Sequence, residues 1–166
     1  MDTNYTYYVI RHNISSGEYS EVRNNASMIA NSINGCFLFT EIGSSSSTNN
    51  IFVWDSRNDK MNYLIKENKN NVTLASFSED ARNVIMWFNK NSTLSLYDVN
   101  NGNKILDFNS SGKVIDIYNL AISSDNHIAY SGYYNSITAW DTSTGEELST
   151  AYFFDTGDWI VMTPQG

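Results

Sequence analysis

Short apolar runs alternate with polar clusters along the chain. Leu74-Ala75-Ser76-Phe77 ends in Ser78-Glu79-Asp80, Leu120-Ala121-Ile122 ends in Ser123-Ser124-Asp125, and each is followed by a mostly apolar stretch, Asn83–Phe88 or His127–Ser131. No segment keeps apolar residues at i, i+3 and i+4 for long enough to line one side of a helix. Runs of about five to seven residues, bounded by Asn, Ser, Asp and Gly, predict short strands joined by tight turns. The chain is therefore expected to be all-β.

Three segments repeat one pattern of aliphatic, variable, apolar, aromatic, Asp. They are Ile51–Asp55 ending in Trp54-Asp55, Leu94–Asp98 ending in Tyr97-Asp98, and Ile137–Asp141 ending in Trp140-Asp141. The step between them is 43 residues both times. A polar turn follows each Asp, at Asp59-Lys60-Met61, Asn101-Gly102-Asn103 and Thr144-Gly145-Glu146, and Gly there permits the positive φ that a tight hairpin needs. Four strands per period of about 40–45 residues is the signature of a β-propeller blade.

The stretches Phe77–Asp98 and Ile122–Gly145 resemble WD repeats, and the likeness extends over residues 26–164. It implies blades of four antiparallel strands whose third strand carries the Trp-Asp ending. The family's Gly-His dipeptide and the Asp before its third strand are absent; Asn91 and Asn135 stand near the latter place. The buried network between Trp and His is therefore not expected, and aromatic packing is expected to replace it.

On this register the blades cover 27–67, 72–109 and 114–154. Residues 7–22 read as the last two strands of an earlier blade, with Asn13 and Gly17 echoing the Asp and Gly of the later turns. Residues 158–164, opening on Trp159, read as the first strand of a further one, and resemble a Trp…Thr-Pro-x-Gly stretch of some bacterial WD-repeat proteins. Three full blades and a partial terminal blade make an incomplete ring. Apolar blade faces left open are association surfaces, so a homodimer through them is one expectation and a fragment of a larger propeller is the other.

Composition narrows the partners. The net charge is −8, and an acidic chain repels phosphate, so neither nucleic acid nor an anionic membrane is expected. There is no basic-then-apolar leader and no run of about 18 apolar residues, from which a soluble, cytoplasmic protein is expected. The single Cys36 lies in the apolar run Cys36–Phe39 and is expected to be buried.

Candidate chemistry is sparse. His12 and His127 lack metal-ligand spacing. Asp155-Thr156-Gly157-Asp158 lacks a full calcium ligand series and reads as an inter-blade turn. No nucleophile elbow, phosphate loop or His-Glu-x-x-His occurs. No cofactor, metal or catalysis is expected. Asn-x-Ser/Thr triplets arise freely in so Asn-rich a chain.

The loops between second and third strands are the candidate binding surface. They are Ile42–Asn50 with its Gly43–Ser47 tract, Asn89–Thr93 with Lys90 and Asn91, and Gly132–Ser136 with Tyr133 and Tyr134. Exposed tyrosine offers large contact area at low entropy cost. The expected function is a non-catalytic scaffold that holds another protein or domain. The alternative is a propeller for a small ligand, carbohydrate or cation, or an accessory domain of an enzyme whose catalytic part lies elsewhere.

Overall fold

The computed structural model describes residues 8–24, 26–42, 48–109 and 117–166. The Gly43–Ser47 tract and the expected blade start at Val114 lie outside the described residues. Among those residues there is no helix. Strands β1 (Tyr8–His12) and β2 (Tyr19–Asn24) form an antiparallel hairpin. The first sheet follows, with β3 (Ala26–Asn31), β4 (Cys36–Ile42), β5 (Asn49–Asp55) and β6 (Lys60–Asn68) in sequence order. The second holds β7 (Val72–Phe77), β8 (Asn83–Phe88), β9 (Thr93–Asp98) and β10 (Lys104–Asp107).

The third sheet has five strands rather than four. These are β11 (Asn119–Ile122), β12 (Ile128–Tyr133), β13 (Ser136–Asp141), β14 (Glu147–Phe153) and β15 (Trp159–Met162). The segment expected to begin a further blade instead turns back, pairing Phe153 with Trp159 and Thr150 with Met162. Asp155–Asp158 is thus a hairpin turn within one sheet, not an inter-blade turn. Gly157 at φ 88° and the bonds Gly157 N–H to Phe154 O and Phe154 N–H to Asp158 O make the reversal. Among the described residues the two terminal pieces do not pair with each other.

The repeated Asp is consumed by its own turn. Asp98 Oδ1 accepts the Asn100 and Asn101 amides at 2.7 and 3.3 Å, and Asp141 Oδ1 accepts those of Ser143 and Thr144 at 2.7 and 3.1 Å. Asn13 does the same for Ser15 and Ser16 in the hairpin. Four residues on, Gly17, Gly102 and Gly145 sit at φ 73–76° and Asp59 at 56°. Gly102 and Gly145 also need the space. A Cβ there would lie 2.9 Å from Tyr63 O and 2.6 Å from Asp107 O, on the last strand of the preceding sheet.

Both faces of each sheet are apolar, and strand alternation sends neighbouring residues to opposite sides. Trp54, Tyr97 and Trp140 each join a buried cluster shared with the preceding element: Val9 and Val22 of the hairpin pack against the cluster of Trp54, Tyr97 shares one with Leu38 and Val53, and Trp140 shares one with Ile85 and Leu96. Their one-residue neighbours face the other way. Leu38, Ile51 and Val53 meet the second sheet, while Ile85, Leu94 and Leu96 meet the third. Burying such a side chain contributes about 1.5–3 kcal/mol. Cys36 is buried in the first of these seams.

In place of the Trp–His network, the tryptophans find local partners. Trp140 Nε1–H donates to Ser131 Oγ and Trp54 Nε1–H to Asp59 Oδ1, each at 2.9 Å. Tyr97, buried and near the Asp107 carboxylate, has its hydroxyl pushed up to about 12.

A polar clasp holds the hairpin to the first sheet. Arg23 on β2 reaches the buried Glu41 on β4 through Nε to Oε2 at 2.5 Å and a second nitrogen to Oε1 at 3.0 Å. Tyr63 Oη–H and Asn50 Nδ2–H also donate to Glu41 Oε1, at 3.1 Å each. The Arg23 hydrogen bonds outweigh burial and hold the Glu41 carboxyl below its ordinary range.

Two outcomes follow from these contacts. Gly17→Ala meets open space and should cost about 1 kcal/mol, whereas Gly145→Ala also strikes a carbonyl and should cost about 2–4 kcal/mol, read from denaturant midpoints. Glu41, with its depressed folded value, stabilises the fold fully above its unfolded value of about 4.3 and loses that contribution as pH falls through the lower folded value. Between about pH 6 and 3 the wild-type chain should therefore lose more stability than Glu41→Gln, which lacks that titration.

Candidate docking face on the third sheet

The positions that form the core of the first two sheets recur in the third. Pairing aligns Leu38–Val53 with Ile85–Leu96 and Tyr130–Ala139, and Thr40–Ile51 with Trp87–Leu94 and Gly132–Ile137. Leu38, Ile51, Ile85 and Trp87 are 0–1% exposed, but Ile137 is 45% exposed. Ala151 and Val161, in line with Ile137, extend the same face onto β14 and β15. Phe153 and Trp159 pair further along, with Trp159 67% exposed. The open face is uncharged along this row.

At one end it rises into a tyrosine cluster. Tyr133 and Tyr134 meet edge to face with ring centres 4.6 Å apart. Tyr118, ahead of β11, stacks on Tyr133 at 5.6 Å and meets Tyr134 edge-on at 5.2 Å. Offset and edge-to-face arrangements suit the ring quadrupole. These rings, with Tyr130, Gly132 and Ile137, line a groove of about 460 Å³. Tyr134 is 78% exposed and holds φ 43° at the first position of a two-residue hairpin loop, between the paired Tyr133 and Ser136. Glycine is usual there.

The other candidate residues lie apart from this groove. Lys90 and Asn91 occupy the corresponding turn of the second sheet, where Lys90 Nζ donates to Lys69 O at 3.4 Å and Asn91 O accepts from Thr93 Oγ1 at 3.3 Å. They do not line the groove. His12 lies on the hairpin, stacked on Tyr19 at 4.2 Å, and His127 lies in the β11–β12 turn. Tyr118 was not marked by the repeat, because it lies outside the strands and 15 residues from Tyr133.

A second groove, about 680 Å³, follows the unpaired edge of β1 and is floored by Phe39 and Trp54. It is the seam where a two-stranded hairpin covers only part of a four-stranded sheet. Among the described residues no group of three or more His, Cys, Asp or Glu could hold a metal ion, and no helix is long and apolar enough to cross a membrane.

No protein-family model matches the chain, and neither does any curated protein sequence. Solved structures do. KlAtg21, in complex with the coiled-coil of AgAtg16, matches 96% of this chain with a TM-score of 0.64 at 13% identity, over 58% of its own length. Kluyveromyces lactis Hsv2 matches 82% at 0.61 and 10% identity, over 60% of its length. Kuenenia stuttgartiensis hydrazine synthase matches 82% at 0.53 and 12% identity, over 45% of its length. The chain thus spans less than two thirds of each. Atg21 and Hsv2 are WD40 β-propeller proteins, and the likeness establishes the propeller fold here, with sheets not closed into a ring.

If Tyr134 is displayed rather than packed, Tyr134→Gly should relieve the positive-φ strain and leave thermal stability equal or higher, within about 1 kcal/mol. A larger loss would place the ring in the core.

Proposed function

We propose that this chain is a non-catalytic interaction module that docks another protein or domain on the tyrosine-rimmed face of its third sheet. The carrying observation is that Tyr130, Ile137 and Ala139 occupy core positions of the repeat yet Tyr130 and Ile137 stand exposed. Large exposed apolar patches mark interaction surfaces, and tyrosine is enriched among the residues that dominate binding. Tyr133 and Tyr134 serve as anchors in this reading, with Tyr118 as their support. Lys90 and Asn91 contribute on the neighbouring turn.

The repeats are degenerate WD repeats in this reading, with blades at 27–67, 72–109 and 114–154. The setting is soluble and cytoplasmic, without cofactor, nucleic acid or membrane. The state of Asp55 and Asp141 supports a non-catalytic role. Hydrogen bonds from Ser143 hold Asp141 below the ordinary carboxylate range, and those from Arg57 do the same for Asp55. Groups fixed as turn acceptors are poor proton carriers near neutral pH. The partner in the Atg21 complex is a coiled-coil protein segment, which is compatible with a protein ligand here. The hydrazine synthase match keeps an accessory domain of an enzyme as the alternative.

The test is a pull-down from source lysate with wild-type chain and a Tyr134→Ala/Ile137→Glu variant. A specific protein retained by the wild type and lost by the variant is expected. Equal recovery by both, or stabilisation by several degrees with a sugar or Ca²⁺, would count against the docking reading.

A further inference from the structure

We infer that Asn34 is a site of spontaneous deamidation, and that the reaction cuts a hydrogen bond between the first and second sheets. The chain has two Asn-Gly pairs, Asn34-Gly35 in the β3–β4 turn and Asn101-Gly102 in the β9–β10 turn. A glycine after asparagine has no side chain to shield its backbone nitrogen, which can then attack the asparagine side-chain carbonyl carbon. The Gly35 nitrogen bonds to Asn34 Cγ and gives up its proton to water, the side-chain nitrogen leaves as ammonia, and a succinimide ring closes. One water then opens the ring at either carbonyl, leaving aspartate or isoaspartate at position 34. No catalyst, oxidant or cofactor is needed.

The two pairs differ in how firmly the reacting groups are held. Both polar atoms of the Asn101 side chain are engaged: Oδ1 accepts the Asn103 amide at 2.8 Å and Nδ2 donates to Asp98 Oδ2 at 3.1 Å. The attacking Gly102 N–H is bound as well, to Asp98 O at 2.9 Å. The Asn34 side chain is held only through Nδ2, which donates to Glu79 O at 2.6 Å. Its Oδ1 accepts no hydrogen bond among the described residues, and Gly35 N–H reaches Ser32 O at a long 3.3 Å. Cyclisation must break these bonds, and more of them stand in the way at Asn101.

The place of Asn34 in the fold gives the reaction its consequence. Its bond to Glu79 O ties the β3–β4 turn to the β7–β8 turn, at the end of the seam where Leu38, Val53, Val84 and Met86 pack. Asn126 makes the matching link across the next seam, from the β11–β12 turn to Asp80 Oδ2 at 3.3 Å. Deamidation puts a carboxylate where the donor was, opposite a carbonyl oxygen and beside the acidic Glu79-Asp80 pair, so an attraction becomes a repulsion. Isoaspartate also adds a backbone carbon to a tight turn. Gly35 there stands at φ 78° with its carbonyl accepting both the N–H and the hydroxyl of Ser56.

Peptide mapping of the 166-residue chain held in mildly alkaline buffer tests this, with isoaspartate counted by enzymatic methylation of its carboxylate. In the folded chain Asn34 should react about fivefold faster than Asn101, the factor that one net hydrogen bond supplies. In urea, where those bonds are gone, the two should react at similar rates. Asn34→Gln, which keeps the amide but closes no such ring readily, should stay unmodified while Asn101 reacts as before. Faster or equal reaction of Asn101 in the folded chain would overturn the inference. So would an unreacted Asn34 after a time that modifies the urea-unfolded chain. The seam has its own readout: Asn34→Asp should melt about 2 °C or more below Asn34→Ala, which only removes the bond. Equal melting of the two variants would overturn the claimed repulsion at the seam.

Discussion

Everything in this fold depends on sheets that are apolar on both faces. An antiparallel sheet ordinarily covers one face and wets the other. Here alternation puts Phe39, Phe52 and Trp54 on one side of the first sheet and Leu38, Ile51 and Val53 on the other. Such a sheet is stable only between two neighbours, and the arrangement then propagates until something ends it. The glycine at the Asp-initiated turns sets how closely successive sheets approach, because its missing Cβ leaves room for the carbonyl of the sheet before.

The two ends of the row are handled differently. At the hairpin, an ion pair between Arg23 and the buried Glu41 does what apolar area alone would do elsewhere. Two strands cover less of the first sheet than four would, and a charged clasp compensates with charge-assisted hydrogen bonds of good geometry. Among the described residues no such ion pair holds the open face of the third sheet. The fifth strand widens the sheet and enlarges the open apolar surface, ending in Trp159 and Phe153.

Much of this architecture was legible in the sequence. The 43-residue step placed Trp54-Asp55, Tyr97-Asp98 and Trp140-Asp141 at the ends of third strands, and the role of Asp as a turn acceptor followed from ordinary Asx chemistry. The fifth strand was not legible. Trp159-Ile160-Val161-Met162 is apolar throughout, so it carries no alternation to say which sheet or which face it joins. Tyr118 was missed because ring clusters depend on where a connection crosses a sheet end. Glu41, a carboxylate beside the apolar run Cys36–Phe39, went unread in the repeat, which draws attention to strand ends, and its partner Arg23 lies 18 residues earlier at no spacing that marks a pair.

The strand order within each sheet has a consequence for how the chain acquires its shape. Every strand pairs with its immediate neighbour in sequence, so most backbone pairing closes short loops and little entropy is spent before contacts form. A chain emerging from the ribosome can complete each sheet before the next is made, and each new sheet docks on one already formed. The middle sheet, covered on both sides, is then the last to open, while the hairpin and the third sheet breathe independently of each other.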